Sequence, residues 1–315
     1  MSDFHPSPVR LIDLDDDAAS HAELHAGLAA VVVGLIDPGA FDDRRYEHAA
    51  DVVVARGDPA IDAICATIAA HPIASVALVQ VLRGAGGRSI DDGLLVESAT
   101  YSALQGGPEF AAWRATRRRR ARPAETDPVL VERDGHRVTI TLNRPAVRNA
   151  LNTAMRDALV EAFALPALDP SITEVHLRGA GPSFSTGGDL DEFGSFDDPA
   201  SAHLVRMQQS VGRAIAAVTD RVTAHLHGPC MGSGIELPAF AGRVIAHPEA
   251  TFSLPEVSLG LIPGAGGTVS LPRRIGSART ALLALTGAAI DAGTALRWGL
   301  VDAVDDDIAG ADGAR

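Results

Sequence analysis

Gly228-Pro229-Cys230-Met231-Gly232-Ser233-Gly234-Ile235-Glu236-Leu237 follows the apolar segment Val222 to Leu226 and should carry the chain from a strand into a helix. Gly232, Ser233 and Gly234 put no bulk over the first helical turn, where backbone N–H groups have no intrahelical acceptor. Donors of that kind can hold a developing oxyanion. Glu236 falls in the same first turn and faces the same region. A carboxylate there is also favoured by the helix dipole alone. Pro238 is tolerable because it lies close to the helix start. The segment is not a nucleophile elbow: G-x-S-x-G requires glycine at 231 and 235, which are Met231 and Ile235.

Two further segments flank it. Upstream, Phe184-Ser185-Thr186-Gly187-Gly188-Asp189-Leu190 leads from a strand toward a helix through small residues, a turn that exposes N–H groups and lets a ligand approach. Read alone, it fits equally a tight loop with an aspartate cap. Downstream, Thr251 to Gly260 continues into Ile262-Pro263-Gly264-Ala265-Gly266-Gly267-Thr268. Glu256 is a lone acid in an apolar stretch, and burying a carboxylate costs several kcal/mol unless it is paired or protonated. A loop glutamate is the simpler alternative. Two carboxylates near two backbone donors can polarise a carbonyl and move protons without a metal. Gly264 to Gly267 is not a dinucleotide fingerprint, since position 269 is valine and no strand directly precedes it.

Around these motifs the second part of the chain reads as an α/β domain over residues 126–315. Val138-Thr139-Ile140-Thr141-Leu142 alternates like a strand, Ala150 to Leu165 is an amphipathic helix, Glu174 to Leu177 a short strand, and Leu204 to Val218 a helix. Residues 1–125 read as mostly helical. Ala18 to Ile36 is apolar and stopped by Asp37-Pro38-Gly39; Asp58-Pro59 opens a helix carrying Ile61, Ile64, Cys65 and Ile68. Ile73 to Leu82 is a helix or a buried strand. After the break Gly84 to Gly87, Ile90 to Gln105 and Pro108 to Arg120 read as helices, and Pro123 to Pro128 as a polar linker.

Taken in order, Leu142-Asn143-Arg144-Pro145 with Asn149-Ala150-Leu151, Phe184 to Leu190, Gly228 to Leu237, Pro255-Glu256 to Gly267, and Trp298-Gly299-Leu300-Val301-Asp302 resemble the enoyl-CoA hydratase/isomerase (crotonase) superfamily over residues 130 to 305. The resemblance implies a crotonase-like spiral of β-β-α turns, an acyl-CoA thioester substrate, and no cofactor beyond the coenzyme A that the substrate carries. It implies backbone oxyanion donors at Gly188 and Ser233, the latter usually glycine in the family, and two catalytic acids, Glu236 chiefly on the water and Glu256 on the α-carbon proton. Substrate contacts would fall at Arg148, Ser185, Gly187, Asp189, Leu190, Asp191 and Gly232. The leading activity is hydration of a 2-enoyl-CoA. The alternatives are double-bond isomerisation, thioester or β-diketone hydrolysis, cofactor-free dioxygenation, and passive acyl-CoA binding, for which neither acid would be needed. Homotrimers or pairs of trimers are the family habit. The usual C-terminal helical region is not found after Val304, and the N-terminal helices are expected to replace it as lid or interface, because an acyl pocket needs an apolar wall.

Bulk properties agree. A net charge of −13 makes nucleic acid a poor partner, because phosphate binding needs clustered cations. Cys65 and Cys230 stand far apart, without the C-x-x-C of a thiolate zinc site, which favours a reducing, cytoplasmic setting. The start, Met1 to Pro6, lacks a signal-peptide pattern, and the longest apolar run, Leu28 to Ile36, is shorter than the ~20 residues a bilayer needs, so no membrane partner is expected. All 27 basic residues are arginine, which removes lysine Schiff bases and Walker lysines from consideration. His225 and His227 alternate on a buried strand and read as structural, one packed and one hydrogen-bonded. Arg117 to Arg120, with Arg114 and Arg122, reads as a solvated helix end, with contact to cofactor phosphates as the alternative.

Overall fold

The computed structural model describes residues 7–15, 28–38, 46, 48–118, 127–195 and 198–308. Its first element is a parallel three-stranded sheet, β1 (Val9–Asp13), β2 (Val31–Ile36) and β3 (Val52–Ala55), in that spatial order. The helical reading of Ala18 to Ile36 is therefore corrected for residues 31–36; residues 18–27 lie outside the described residues. The reason is local. Val31-Val32-Val33 is a β-branched run, stiff at χ1 and better suited to a pleat than to a helix, and so short an apolar run carries no period to distinguish the two. Asp51 accepts the Val32 N–H and pairs with Arg83, both side chains being buried, which locks this sheet to the helix behind it.

Helix dominates from residue 60: α1 (Ala60–Ala70), α2 (Pro72–Arg83), α3 (Ile90–Gln105) and α4 (Pro108–Ala115). Ser89 caps α3 by accepting the Asp92 N–H, with Asp91 and Asp92 in the first turn favoured by the dipole. The last helix stops at Ala115 rather than running to Arg120. Of the arginine run, Arg117 lies over the Trp113 ring, and Arg119, Arg120 and Arg122 are outside the described residues.

The second half builds two sheets that the chain visits alternately. β4 (Val129–Asp134) and β5 (Arg137–Leu142) form an antiparallel hairpin; α5 (Thr153–Leu168) leads to β6 (Glu174–Gly179), and α6 (Pro199–Gln208) and α7 (Val211–Ala216) lead to β7 (Val222–Leu226). The chain then crosses to β8 (Pro229–Met231) in the other sheet, forms the one-turn helix α8 (Ser233–Glu236), and returns to β9 (Arg243–Ala246). A second circuit follows: β10 (Thr251–Ser253), α9 (Gly267–Ile275), α10 (Ser277–Thr286), β11 (Ile290–Asp291), α11 (Ala292–Trp298) and β12 (Ala303–Val304). The large sheet has the order β12-β9-β7-β6-β5-β4, and the small one β11-β10-β8. Ser185 bridges to Cys230, so the Phe184 loop marks an earlier circuit on the small sheet's edge. These stacked strand–strand–helix turns are the β-β-α spiral expected from the motifs.

Alternation in β5 works as read: Val138, Ile140 and Leu142 point into the core. With Phe163, Phe184 and Phe252 they belong to one apolar cluster that also takes in Val31, Ile64, Leu78 and Leu94 from the first part of the chain. Each fully buried large apolar side chain contributes about 1.5–3 kcal/mol, so the N-terminal helices share their stabilisation with the spiral. The contact is close: a Cβ on Gly93 of α3 would lie 2.8 Å from Val269 of α9.

Candidate active site

Asn149 organises the first loop. Its backbone is left-handed (φ 53°), its Oδ1 accepts the Arg144 N–H, and its Nδ2 faces the carbonyls of Ala180, Ser183 and Phe184 at 2.8–3.0 Å. Loop carbonyls that would otherwise be buried without donors are satisfied by one amide. The loop after Phe184 then runs against the β8–α8 corner. Gly187 has φ +92°, and a Cβ there would sit 2.9 Å from the Met231 carbonyl oxygen and 3.7 Å from Gly232 Cα. Gly232 has φ +51°, and a Cβ on it would collide with Glu256 Oε1. Only glycine satisfies both the backbone angle and the contact. The residues that follow, Gly188 and Ser233, line one cavity of about 200 Å³. Neither N–H has an acceptor among the described residues. The Ser233 hydroxyl is also buried without a partner there.

Five carboxyl groups line the same cavity, those of Asp189, Glu192, Glu236, Glu256 and Glu97, and the last three are shifted upward by burial. Glu236 Oε2 accepts the Ala265 and Gly267 N–H groups at 2.8 and 2.9 Å. Burial raises its pKa to about 7 against the pull of those amides. Glu97 comes from α3. Its oxygens take the alternate amides, Gly266 at 2.6 Å and Thr268 at 2.8 Å, together with the Thr268 hydroxyl at 2.7 Å. Burial, and then the charge of Glu236, raise Glu97 to about 8. Glu256 Oε2 has no partner among the described residues. Burial first, and the charges of Glu236 and Glu97 after it, push Glu256 well above the ordinary carboxylate range. The glycine loop from Gly264 to Gly267 is thus a double carboxylate clasp. A Cβ on Gly264 would lie 2.5 Å from the Tyr101 ring, so α3 presses directly on the loop.

The structure brings Gly188, Asp189, Ser233, Glu236 and Glu256 to this cavity and leaves the other expected contacts off its wall. Asp189 has its carboxylate in a buried pair with Arg144. Ser185 donates to the Asn149 carbonyl and supports the loop from below. Gly187 and Gly232 act through their backbone. Arg148 is exposed at a left-handed turn, with its carbonyl held by the Thr186 N–H. Leu190 is half-buried beside the loop, and Asp191 lies 3.8 Å from Arg117. His225 and His227 both have partners, His176 at 2.7 Å and the Gly181 carbonyl at 2.9 Å, and burial lowers His225 to about 4. Both cysteines are free thiols.

Glu97 was not among the residues picked out from the sequence. A signal for it exists: Leu94, Glu97, Tyr101 and Leu104 fall at helical spacing and are all buried, so an acid interrupts the apolar stripe of α3 just as Glu256 interrupts its own segment.

Comparison with known proteins places this cavity in context. A family model described as enoyl-CoA hydratase/isomerase matches residues 134–309. The 2,3-dehydroadipyl-CoA hydratase of Escherichia coli (strain K12) is 36% identical over 176 residues, 56% of this chain and 68% of that protein. A probable enoyl-CoA hydratase of Mycobacterium leprae is 37% identical over 180 residues, with the same coverage of 56% and 68%. Among solved structures, an enoyl-CoA hydratase from Thermoplasma volcanium superposes with a TM-score of 0.54 at 37% identity, covering 58% of this chain and 73% of that one.

Proposed function

Because the chain belongs to the enoyl-CoA hydratase/isomerase family, we propose that it adds water across the double bond of a 2-enoyl-CoA thioester. The observation that carries this reading is the pairing, in one cavity, of two backbone N–H groups without an acceptor among the described residues, at Gly188 and Ser233, with two glutamates whose pKa values burial raises.

In this scheme the two amides hold the thioester oxygen and draw charge onto it as the enolate forms. Glu236, with a pKa near neutrality, is the base that takes a proton from water as its oxygen attacks the β-carbon. Its clasp to Ala265 and Gly267 fixes the carboxylate for that task. Glu256, kept protonated by burial and by its acidic neighbours, gives its proton to the α-carbon. The product has gained one water; Glu256 is left as carboxylate and Glu236 as acid, and a proton passed back between them restores the start. Coenzyme A arrives with the substrate, and the scheme draws on no metal or further cofactor. A trimer or pair of trimers is the assembly proposed with it, on family resemblance.

The test is hydration of crotonyl-CoA, followed by loss of the enoyl-thioester absorbance. Wild type should turn over. Glu256→Gln should fold, bind acyl-CoA and lose about 10²–10⁴-fold in kcat, the usual worth of a general acid or base. Normal turnover by that variant would remove Glu256 from the mechanism, and no hydration by wild type would remove the reaction.

A further inference from the structure

Helix α9 begins without a cap of its own. Its N-cap is Gly266, at φ +106°, which has no side chain to accept the first free N–H groups. Two carboxyl groups from elsewhere in the chain accept them instead. Four consecutive amides leave the loop in alternate directions: Ala265 and Gly267 donate to Glu236, Gly266 and Thr268 to Glu97. The Thr268 hydroxyl adds a third donor to Glu97.

The alternation couples the two acids. Successive N–H groups belong to successive rigid peptide planes, so a plane turned to face Glu97 limits the directions open to its neighbours. Gly264, Gly266 and Gly267 supply little stiffness of their own. The outside acceptors therefore hold the loop's angles. Helix capping alone does not call for Glu97, since Glu236 already meets two of these amides from the cavity side. Yet Glu97 is only 2% exposed and reaches the loop from a different helix, α3. Burying a carboxyl carries a desolvation penalty, and the three donors are what it gains in return.

We infer that Glu97 is a positioning residue: it fixes the glycine loop so that the Ala265 and Gly267 amides stay on Glu236 and hold its carboxylate in the cavity. The N-terminal part of the chain thereby sets the geometry of the base. The inference rests on the reading of Glu236 as the base, but its first readout requires no turnover.

The other titratable and charged groups around the two acids are Tyr101 on α3, Glu256 on the turn Glu256–Leu259 and Arg206 on α6; Arg156, Asp189 and Glu192 line the same cavity. Glu97 holds its proton up to about pH 8. Glutamine in its place therefore removes little charge while Glu236 titrates near 7, and a shift in Glu236 reports the loop.

Infrared titration of the full-length protein would follow the protonated-carboxyl band that Glu236→Gln deletes. Its midpoint should lie near pH 7 in wild type and rise in Glu97→Gln, because amides that favour the carboxylate are withdrawn. In crotonyl-CoA hydration the same variant should lower kcat by up to about 10²-fold, the effect of a misplaced catalytic group, with KM nearly unchanged. Thr268→Val, which takes one donor from Glu97 and leaves Glu236 untouched, should reproduce part of both effects, and Thr268→Ser should restore wild-type values. An unchanged midpoint and kcat in Glu97→Gln, with only a lower melting temperature, would reduce Glu97 to packing and overturn the inference. A midpoint moved downward would assign its influence to charge and overturn it as well. If Glu97→Gln does not fold, the Thr268 pair decides, and equal midpoints in Thr268→Val and Thr268→Ser overturn the inference. Absence of hydration by wild type alongside the raised midpoint would fault the reaction and leave the clasp standing.

Discussion

Replacing Glu97 by glutamine should invert the stability ranking of variant and wild type as pH rises. Burial and the neighbouring Glu236 lift the Glu97 pKa from 4.5 to about 8. Between those values the folded protein keeps a proton that the unfolded chain releases, so raising the pH favours unfolding. At ~1.4 kcal/mol per tenfold change in proton affinity, the charge costs the fold on the order of 5 kcal/mol once pH passes 8. Glutamine carries no such charge. It still offers one oxygen to the Gly266 N–H, but its amide group would confront the Thr268 N–H and hydroxyl, which now donate to Glu97. Leaving those donors unsatisfied costs about 1–3 kcal/mol at any pH. Urea unfolding at pH 5, 7 and 9 reads both effects. At pH 5 Glu97→Gln should be the less stable protein by about 1–3 kcal/mol; at pH 9 it should equal or exceed wild type. A stability difference that stays constant across the three pH values would refute the reasoning, since Glu97 would then not be carrying a buried, raised carboxyl.

Hydration should rise with pH through about 7, because Glu236 must lose its proton to act as base and its pKa lies there; a rate falling steadily from pH 5 to 8 would reject Glu236 as the base. Gly232→Ala forces a side chain onto φ +51° and into Glu256 Oε1, and should cost about 1–3 kcal/mol in stability with a loss of kcat, both measurable on the purified variant. Asn149→Ala strips donors from the Ala180, Ser183 and Phe184 carbonyls and should destabilise by at least about 3 kcal/mol in urea unfolding.

Much of the spiral was legible because its signals are local. Val138 to Leu142 alternates at the strand period, and Gly232 and Gly187 are small where two backbones touch. Glu256 stands out as a lone acid in an apolar stretch and Glu236 as an acid in the first turn of a helix opened by small residues, and both line the cavity. What was not legible depends on distant packing. Val31 to Ile36 is too short and uniformly apolar to declare its period, and its strand is settled by parallel partners on either side. Glu97 bonds to Gly266, 169 residues away in sequence; within its own helix it reads as a stray acid. The substrate contacts carried over by resemblance were the least tied to physical cause, and several, such as Ser185 and Asp189, have side chains committed to holding the loop.

The most direct measurement is a crystal structure with an unreactive acyl-CoA thioester bound. The thioester oxygen should lie 2.7–3.1 Å from the amide nitrogens of both Gly188 and Ser233, the reach expected of oxyanion donors, with Glu236 and Glu256 on the side of the α- and β-carbons. An oxygen bonded to neither amide, or an acyl chain lying outside the cavity that Glu97, Glu236 and Glu256 enclose, would contradict the proposed chemistry.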